Sequence, residues 1–294
     1  MPYTAEINRS QPGCYLFLVD QSASMDEVLE SEGEPERLDT PIEVDGMTYT
    51  HSVGGISKSD CVADVINRTI YELIMQCMRH DGCRHYFDVG VIGYNSKRVG
   101  SALGGDLGER LLQPLPLLEK HPLRIEERTP RHRRGGPEKV PVWVEPENEG
   151  ETPMCRALEL ATGAIRGWCT AHPRSHPPIV INITDGQSSD GDPEGPARAL
   201  RAVSTNDGCT LLFNLLFEPS EADPILFPHR EQDLPSKNGR TLFRMSSEFP
   251  EKMRFFARER GHDLHPQARM VGYKAGMQTL VRCFEIATRA SQLR

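Results

Sequence analysis

The sequence has no uninterrupted apolar stretch approaching the roughly 20 residues that a membrane-spanning helix needs. Its first residues, 1–12, are polar and lack the apolar segment of a secretory signal peptide. The eight cysteines are scattered without a CxxC pair, so their spacing favours neither a structural zinc site nor a disulfide framework. These absences predict a cytoplasmic protein whose thiols are reduced and mostly buried.

The signatures of several functional classes are missing as well. No glycine-rich stretch has the GxxxxGK(S/T) pattern of a phosphate-binding loop, and no Ser-His-Asp or Cys-His set stands in a recognisable motif context. The formal net charge of −8 argues against general nucleic-acid binding, which needs a basic surface. We therefore expect a non-catalytic protein without catalytic residues, and one that binds neither nucleic acid nor membranes.

What the sequence does contain is an alternation of strands and helices. Apolar runs are typical of strands buried on both faces of a parallel sheet, and they occur at Cys14–Val19, Ile179–Ile183 and Cys209–Phe217; a further strand is predicted at Phe87–Tyr94. Amphipathic or capped segments predict helices at about 57–79, 154–168, 192–203, 249–260 and 277–290. This order predicts a doubly wound α/β fold in which a mostly parallel central sheet has helices on both faces and one antiparallel edge strand. A last edge strand is expected at Ala268–Tyr273.

Oxygen-bearing side chains follow the first apolar run at once. Asp20, Ser22 and Ser24 are spaced two apart, and in an extended segment such side chains point the same way. Thr152 lies in a loop before a helix, and Asp185 follows another buried strand. Because ligands bind at the carboxyl ends of parallel strands in such sheets, we expect these groups to meet at one edge. Hard cations such as Mg²⁺ prefer oxygen ligands of this kind.

Each of these residues also has an ordinary structural interpretation. The two serines could cap the turn after the strand, and Asp185 before Gly186 could be a turn residue. Thr152 before Pro153 is a good N-cap for a helix. Their joint appearance in this order favours the metal site over three unrelated caps and turns.

These residues resemble the metal-ion-dependent adhesion site (MIDAS) of the von Willebrand factor A (vWA) domain family. Asp20-x-Ser22-x-Ser24 matches the family's DxSxS motif, Thr152 its later threonine, and Asp185 in Ile-Thr-Asp-Gly its second aspartate. The resemblance implies a vWA/Rossmann-like fold over a single domain, 1–294, of the cytosolic, bacterial stand-alone type. Long insertions at about 26–56 and 104–150 depart from the family pattern.

The resemblance also implies a function. The metal would be Mg²⁺, with Mn²⁺ or Ca²⁺ as alternatives, and it would capture an Asp or Glu carboxylate of another protein. A kinase or phosphatase encoded nearby, in a bacterial stress, signalling or defence system, is a candidate partner by analogy. One alternative is a metal-dependent hydrolase or phosphotransferase that uses the same ion as Lewis acid. Another is a scaffold whose ion is purely structural.

Overall fold

A computed structural model of the chain describes residues 3–28, 42–44, 47–49, 57–128, 138–217, 224–259, 261 and 263–274. Its strands are β1 Gly13–Asp20, β2 Ile42–Val44, β3 Met47–Tyr49, β4 Met78–Arg79, β5 Gly82–Cys83, β6 Phe87–Tyr94, β7 Val99–Ser101, β8 Gln113–Pro114, β9 Arg124–Arg128, β10 Glu138–Val142, β11 Ile179–Thr184, β12 Ser204–Thr205, β13 Gly208–Cys209, β14 Leu211–Leu216, β15 Ile225–Leu226 and β16 Val271–Tyr273. Its α-helices are α1 Lys58–Cys77, α2 Leu115–Lys120, α3 Met154–Ala171, α4 Glu194–Ala202, α5 Lys237–Met245 and α6 Glu251–Glu259. Within these ranges no helix is long and apolar enough to cross a membrane.

One eight-stranded sheet forms the centre, in the order β15-β16-β14-β11-β1-β6-β7, with β8 pairing β6. The strands β6, β1, β11, β14 and β16 run parallel to one another. The short strands β7 and β8 run antiparallel to β6, and β15 runs antiparallel to β16. This mostly parallel sheet confirms the predicted fold class.

The alternation of side chains along β1 places one apolar layer on each face of the sheet. Tyr15 and Phe17 belong to a core shared with α1 and α6. Leu16 and Leu18 belong to a second core shared with α3, α4 and α5. A side chain buried to this degree contributes about 1.5–3 kcal/mol relative to an exposed one. Helices therefore cover both faces of the sheet, as predicted, because its central strands are apolar on both.

Two predicted elements differ in detail from the structure. The segment at Ala268–Tyr273 was expected at an edge, but β16 lies between β14 and the short strand β15, so it is an internal strand. The DxSxS segment was expected to be extended, but a 3-10 helix, Ala23–Asp26, begins directly after Ser22. The expected helix at 277–290 lies outside the described residues.

Much of the second insertion is packed into the domain. Trp143 is 1% exposed, and its indole Nε1 donates to the carbonyl of Leu118 at 2.8 Å. The side chain of Asn67 on α1 accepts from the backbone nitrogens of Trp143 and Val144 at 2.8 and 3.0 Å, and donates to the carbonyl of Val144 at 2.9 Å. This buried amide fixes the segment that leads back toward the sheet edge.

The described cysteines are all unpaired, and most are buried. Burial raises the pKa of Cys77 to about 12 and the pKa values of Cys83 and Cys169 to about 11. Such thiols act as small apolar side chains of the core. Among the described cysteines, the expected burial is found for most of the thiols.

Candidate metal site at the carboxyl edge of the sheet

The ends of two neighbouring strands bring Asp20 and Asp185 to the same edge. Strands β1 and β11 pair in parallel, with Val19 opposite Ile183, so Asp20 stands beside the end of β11. The hydroxyl of Thr184 donates to Oδ2 of Asp20 at 2.6 Å. Asp185 is the next residue along, and its side chain is 1% exposed. The sheet register therefore places both predicted carboxylates side by side.

A chain of hydrogen bonds joins four of the five predicted residues. The backbone nitrogen of Ser22 donates to Oδ1 of Asp20 at 3.0 Å. The hydroxyl oxygens of Ser22 and Ser24 lie 3.1 Å apart, and the Ser24 hydroxyl donates to Oδ1 of Asp185 at 2.7 Å. Because a 3-10 turn follows Ser22, the two hydroxyls converge through helical geometry and not through the extended strand first expected.

The loop that carries Thr152 lies against the DxSxS turn. The backbone nitrogen of Ala23 donates to the carbonyl of Gly150 at 2.9 Å, and that of Glu149 donates to the carbonyl of Gln21 at 2.7 Å. These two bonds fix the loop two to three residues before Thr152, which is 7% exposed.

Thr152 does not cap helix α3. The helix begins at Met154, and its N-cap residue is Pro153. The side chain of Pro153 makes no capping hydrogen bond. Asp190 takes that role, since its carboxylate accepts from the backbone nitrogens of Cys155 and Arg156, each at 3.0 Å. The expectation that Thr152 suits an N-cap is therefore wrong for this helix.

The side chain of Thr152 instead approaches the loop of the second aspartate. A Cβ atom placed on Gly186 would lie 3.9 Å from Oγ1 of Thr152, so the hydroxyl lies beside the residue that follows Asp185. The backbone carbonyl of Thr152 accepts from the nitrogen of Ser189 at 2.9 Å, which ties the two loops together. Among the described residues, the Thr152 hydroxyl has no hydrogen-bond partner. It is thus a free oxygen donor at the edge where the other four residues meet.

Lys58 is a further residue of the site that sequence reasoning missed. Its side chain is 5% exposed, and its Nζ donates to Oδ2 of Asp185 at 3.0 Å and to Oε2 of Glu27 at 2.5 Å. Lys58 is the first residue of α1, whose N-cap Ser57 forms a capping box with Asp60. The sequence could have placed Lys58 near this edge, because a helix that follows a parallel strand begins at the carboxyl edge of the sheet, but its burial against Asp185 is visible only in the fold.

The two aspartates have different electrostatic surroundings. Asp185 has the ammonium of Lys58, whereas no ion pair among the described residues involves Asp20. Burial raises the pKa of Asp20 to about 6, against hydrogen bonds from Ser22 and Thr184 that lower it, while the charge of Asp185 raises it further. A buried carboxylate in this position gains from any cation that reaches it.

The donor set fits a hard divalent cation. It consists of two carboxylates and three hydroxyls, which are the oxygen ligands that Mg²⁺ and Ca²⁺ take. In the described ranges, no group of three or more His, Cys, Asp or Glu side chains is arranged to hold a metal.

A cavity of about 320 Å³ lies elsewhere, between α3 and α4. It is lined by Arg166, Cys169, Thr170, Ala199, Ala202, Val203 and Ser204. None of these residues belongs to the edge that carries Asp20 and Asp185. The candidate site is therefore distinct from this cavity.

Comparisons with known proteins add little to this geometry. No protein-family model matches the chain, and no curated protein matches it. Among solved structures, the chain is similar to the three N-terminal domains of the type V pili tip protein Mfa5 from Porphyromonas gingivalis, at 10% identity and a TM-score of 0.28, over 60% of this chain and 20% of that one. It is also similar to the vWF domain of the same protein, at 11% identity and a TM-score of 0.27, over 60% of this chain and 39% of that one. This chain thus matches less than half of the length of either structure.

Proposed function

We propose that the chain is a non-catalytic protein-binding module that holds a divalent cation, Mg²⁺ in the first instance, and uses it to capture an Asp or Glu carboxylate of another protein. The ligands would be Asp20, Ser22, Ser24, Thr152 and Asp185. The observation that carries the proposal is their convergence, since residues from three separate loops meet at one sheet edge.

The charge of the site supports a role in binding an anion. Two buried carboxylates, Asp20 and Asp185, and one buried ammonium, Lys58, leave a formal net charge of −1 at the site. A dication would reverse this charge to +1, because the three hydroxyls are neutral. Glu27 also contacts Lys58, but its side chain is 52% exposed, so its charge is largely screened by water. The loaded site would therefore attract an incoming carboxylate.

The side chains at the site would have two roles, to bind the ion and to hold its ligands in position. The hydroxyls of Ser22, Ser24 and Thr152 would supply neutral oxygens, which leave the ion electron-poor. The hydrogen bonds from Thr184 and from the Ser22 nitrogen hold the Asp20 carboxylate in place. The ion itself, when bound, supplies a coordination position that a carboxylate can enter.

The hydrolase or phosphotransferase alternative gains no support from the carboxylates near the site. Asp26 accepts from the side-chain amide of Asn148 at 2.6 Å, and Glu27 is paired with Lys58. A general base must reach the proton it removes, directly or through one water. Both carboxylates would have to leave these partners to act in that way.

The partner would act inside the cell in this proposal. We propose a cytoplasmic, bacterial setting in a stress, signalling or defence system, with a kinase or phosphatase encoded nearby as a candidate partner. The chemistry defines the partner more narrowly than the setting does. It is a protein that presents one accessible Asp or Glu side chain.

A direct test uses Mn²⁺ as the metal and a simple carboxylate as the ligand. Mn²⁺ binding is measured by electron paramagnetic resonance, and the water relaxation of the bound ion is then followed during titration with N-acetyl-glutamate amide. We expect the carboxylate to displace metal-bound water, whereas N-acetyl-glutamine amide, which is matched in shape, does not. Mn²⁺ that binds without any response to the carboxylate would favour the purely structural ion. An absence of Mn²⁺ binding would overturn the proposal.

A further inference from the structure

A buried lysine at a site of this kind is unexpected, because its ammonium stands where a cation is needed. Nζ of Lys58 lies 3.0 Å from Oδ2 of Asp185, and the two side chains are 5% and 1% exposed. Oδ1 of the same carboxylate accepts from Ser24 at 2.7 Å. Both oxygens of Asp185 are therefore engaged by groups of the chain itself.

The position of Lys58 is held firmly by the backbone. It opens α1 directly after the capping box of Ser57 and Asp60, and its own nitrogen donates to the carbonyl of Glu27 at 3.1 Å. Val28 forms an isolated bridge with Ser57, which adds a second link between the same two segments. The backbone of Lys58 is thus held in place, and its ammonium has two acceptors: the buried Asp185 and the half-exposed Glu27.

We propose that Lys58 is a built-in cation that competes with the divalent ion for Asp185 and so sets the metal affinity of the site. This inference rests on the proposed function. Bringing a dication to Asp185 places it near a buried ammonium, and the repulsion between them weakens binding. Glu27 gives the ammonium a second acceptor to which it can shift when the ion occupies Asp185.

The competition links the ion to the rim of the site. Glu27 and Val28 are exposed, and both are bonded to the start of α1. A shift of the Lys58 ammonium from Asp185 toward Glu27 changes the charge that this rim presents to a partner. By reciprocity, a partner that binds Glu27 would return the Lys58 ammonium to Asp185 and lower the affinity of the site for the ion. A partner carboxylate bound to the ion would oppose that return.

The test compares Mn²⁺ affinities of four proteins by isothermal titration calorimetry. Lys58→Gln removes the charge and keeps a hydrogen-bond donor for Asp185, whereas Lys58→Arg keeps the charge. Lys97→Gln is the matched control, because Lys97 pairs with Glu149 on the neighbouring loop with both side chains largely exposed. We expect Lys58→Gln to bind Mn²⁺ about tenfold more tightly than the wild type, a coupling of ordinary size. Lys58→Arg and Lys97→Gln should stay within about threefold of the wild type.

The outcomes separate this inference from the function on which it rests. If the wild type binds Mn²⁺ and a folded Lys58→Gln variant binds it equally or more weakly, the competing role of Lys58 is wrong and the metal site stands. If neither protein binds Mn²⁺, the metal site itself is wrong. Should Lys58→Gln fail to fold, Lys58→Met provides the second uncharged variant. Tighter binding in Lys58→Met supports the competition, and failure of both variants to fold assigns Lys58 a structural role and overturns it.

Discussion

The hydroxyl of Ser24 donates to the carboxylate of Asp185 at 2.7 Å, although 161 residues separate the two in the sequence. The contact exists because β1 and β11 are neighbours in the sheet and end at the same level. This bond holds the turn after one strand against the loop after the other.

Thr152 offers the cleanest test of the ligand set. Its hydroxyl caps no helix and has no partner among the described residues, so Thr152→Ala should leave stability nearly unchanged. We expect the same change to weaken Mn²⁺ binding by about tenfold or more, as loss of a ligand removes a direct contact with the ion. Thr170→Ala is the control, because Thr170 is exposed near the end of α3 and its hydroxyl bonds only to the carbonyl of Arg166. Unchanged Mn²⁺ affinity in Thr152→Ala would remove this residue from the site.

The Asp20 carboxyl predicts an unusual pH dependence in the presence of EDTA. Burial raises its pKa from 3.8 to about 6 in the folded protein, so between these pH values the folded state binds more protons than the unfolded state. The contribution of Asp20 to stability is therefore present below about pH 4 and is lost as the pH rises through about 6. A shift of this size corresponds to at most about 3 kcal/mol.

Urea unfolding of the wild type and of Asp20→Asn from pH 4 to pH 7 measures this term. We expect the free energy of unfolding of the wild type to fall relative to the variant across that range, because Asn does not titrate. The other titrating groups are present in both proteins, so the difference reports chiefly on Asp20. A constant difference between the two proteins would show that Asp20 ionises normally.

Asn67 should be among the residues on which stability depends most. Its amide satisfies two backbone nitrogens and one carbonyl at Trp143 and Val144, and all of these lie in the core. Asn67→Ala leaves three buried polar groups without partners, at a cost of about 1–3 kcal/mol each if no water enters. We expect a loss of at least about 3 kcal/mol by urea unfolding, since part of the strain relaxes. Asn206→Ala, at an exposed turn, should change stability by less than about 0.5 kcal/mol.

The sequence predicted the fold well because its central strands are nearly continuous apolar segments. Every residue of β1, β6, β11 and β14 is buried, and most are apolar without alternation, as expected for a sheet covered on both faces. Short elements such as β15 and α5 were not predicted. β15 has two residues, and the sequence between β14 and α6 carries no long apolar period. Their formation depends on contacts with β14 and β16, which no local pattern reveals.

The candidate site was predicted in part, for a similar reason. Asp20, Ser22, Ser24 and Asp185 follow predicted strands, so topology alone brought them together. The capping role of Asp190 was not foreseen, because it reaches a helix that begins 36 residues earlier, at Met154, from another loop. Lys58 was missed because a lysine in the first turn of a helix is ordinarily solvated. Only the fold shows that this helix start is buried against Asp185.

Removal of the metal should distinguish a binding site from a tightly structural ion. A ligand that binds only the folded state stabilises it by RT ln(1 + [L]/Kd), so Mg²⁺ should raise the melting temperature of the wild type in a concentration-dependent way. Asp20→Asn should abolish this response, because it removes one of the two anionic ligands.

Asp192→Asn is the control, since Asp192 is an exposed carboxylate on the loop after Asp185 and its capping bond to the Glu194 nitrogen is available to Asn as well. We expect Asp192→Asn to keep the full response to Mg²⁺. Equal rises in melting temperature in all three proteins would place the ion elsewhere. If the wild type unfolds at room temperature in EDTA, the ion is structural and not an exchangeable ion that a partner engages.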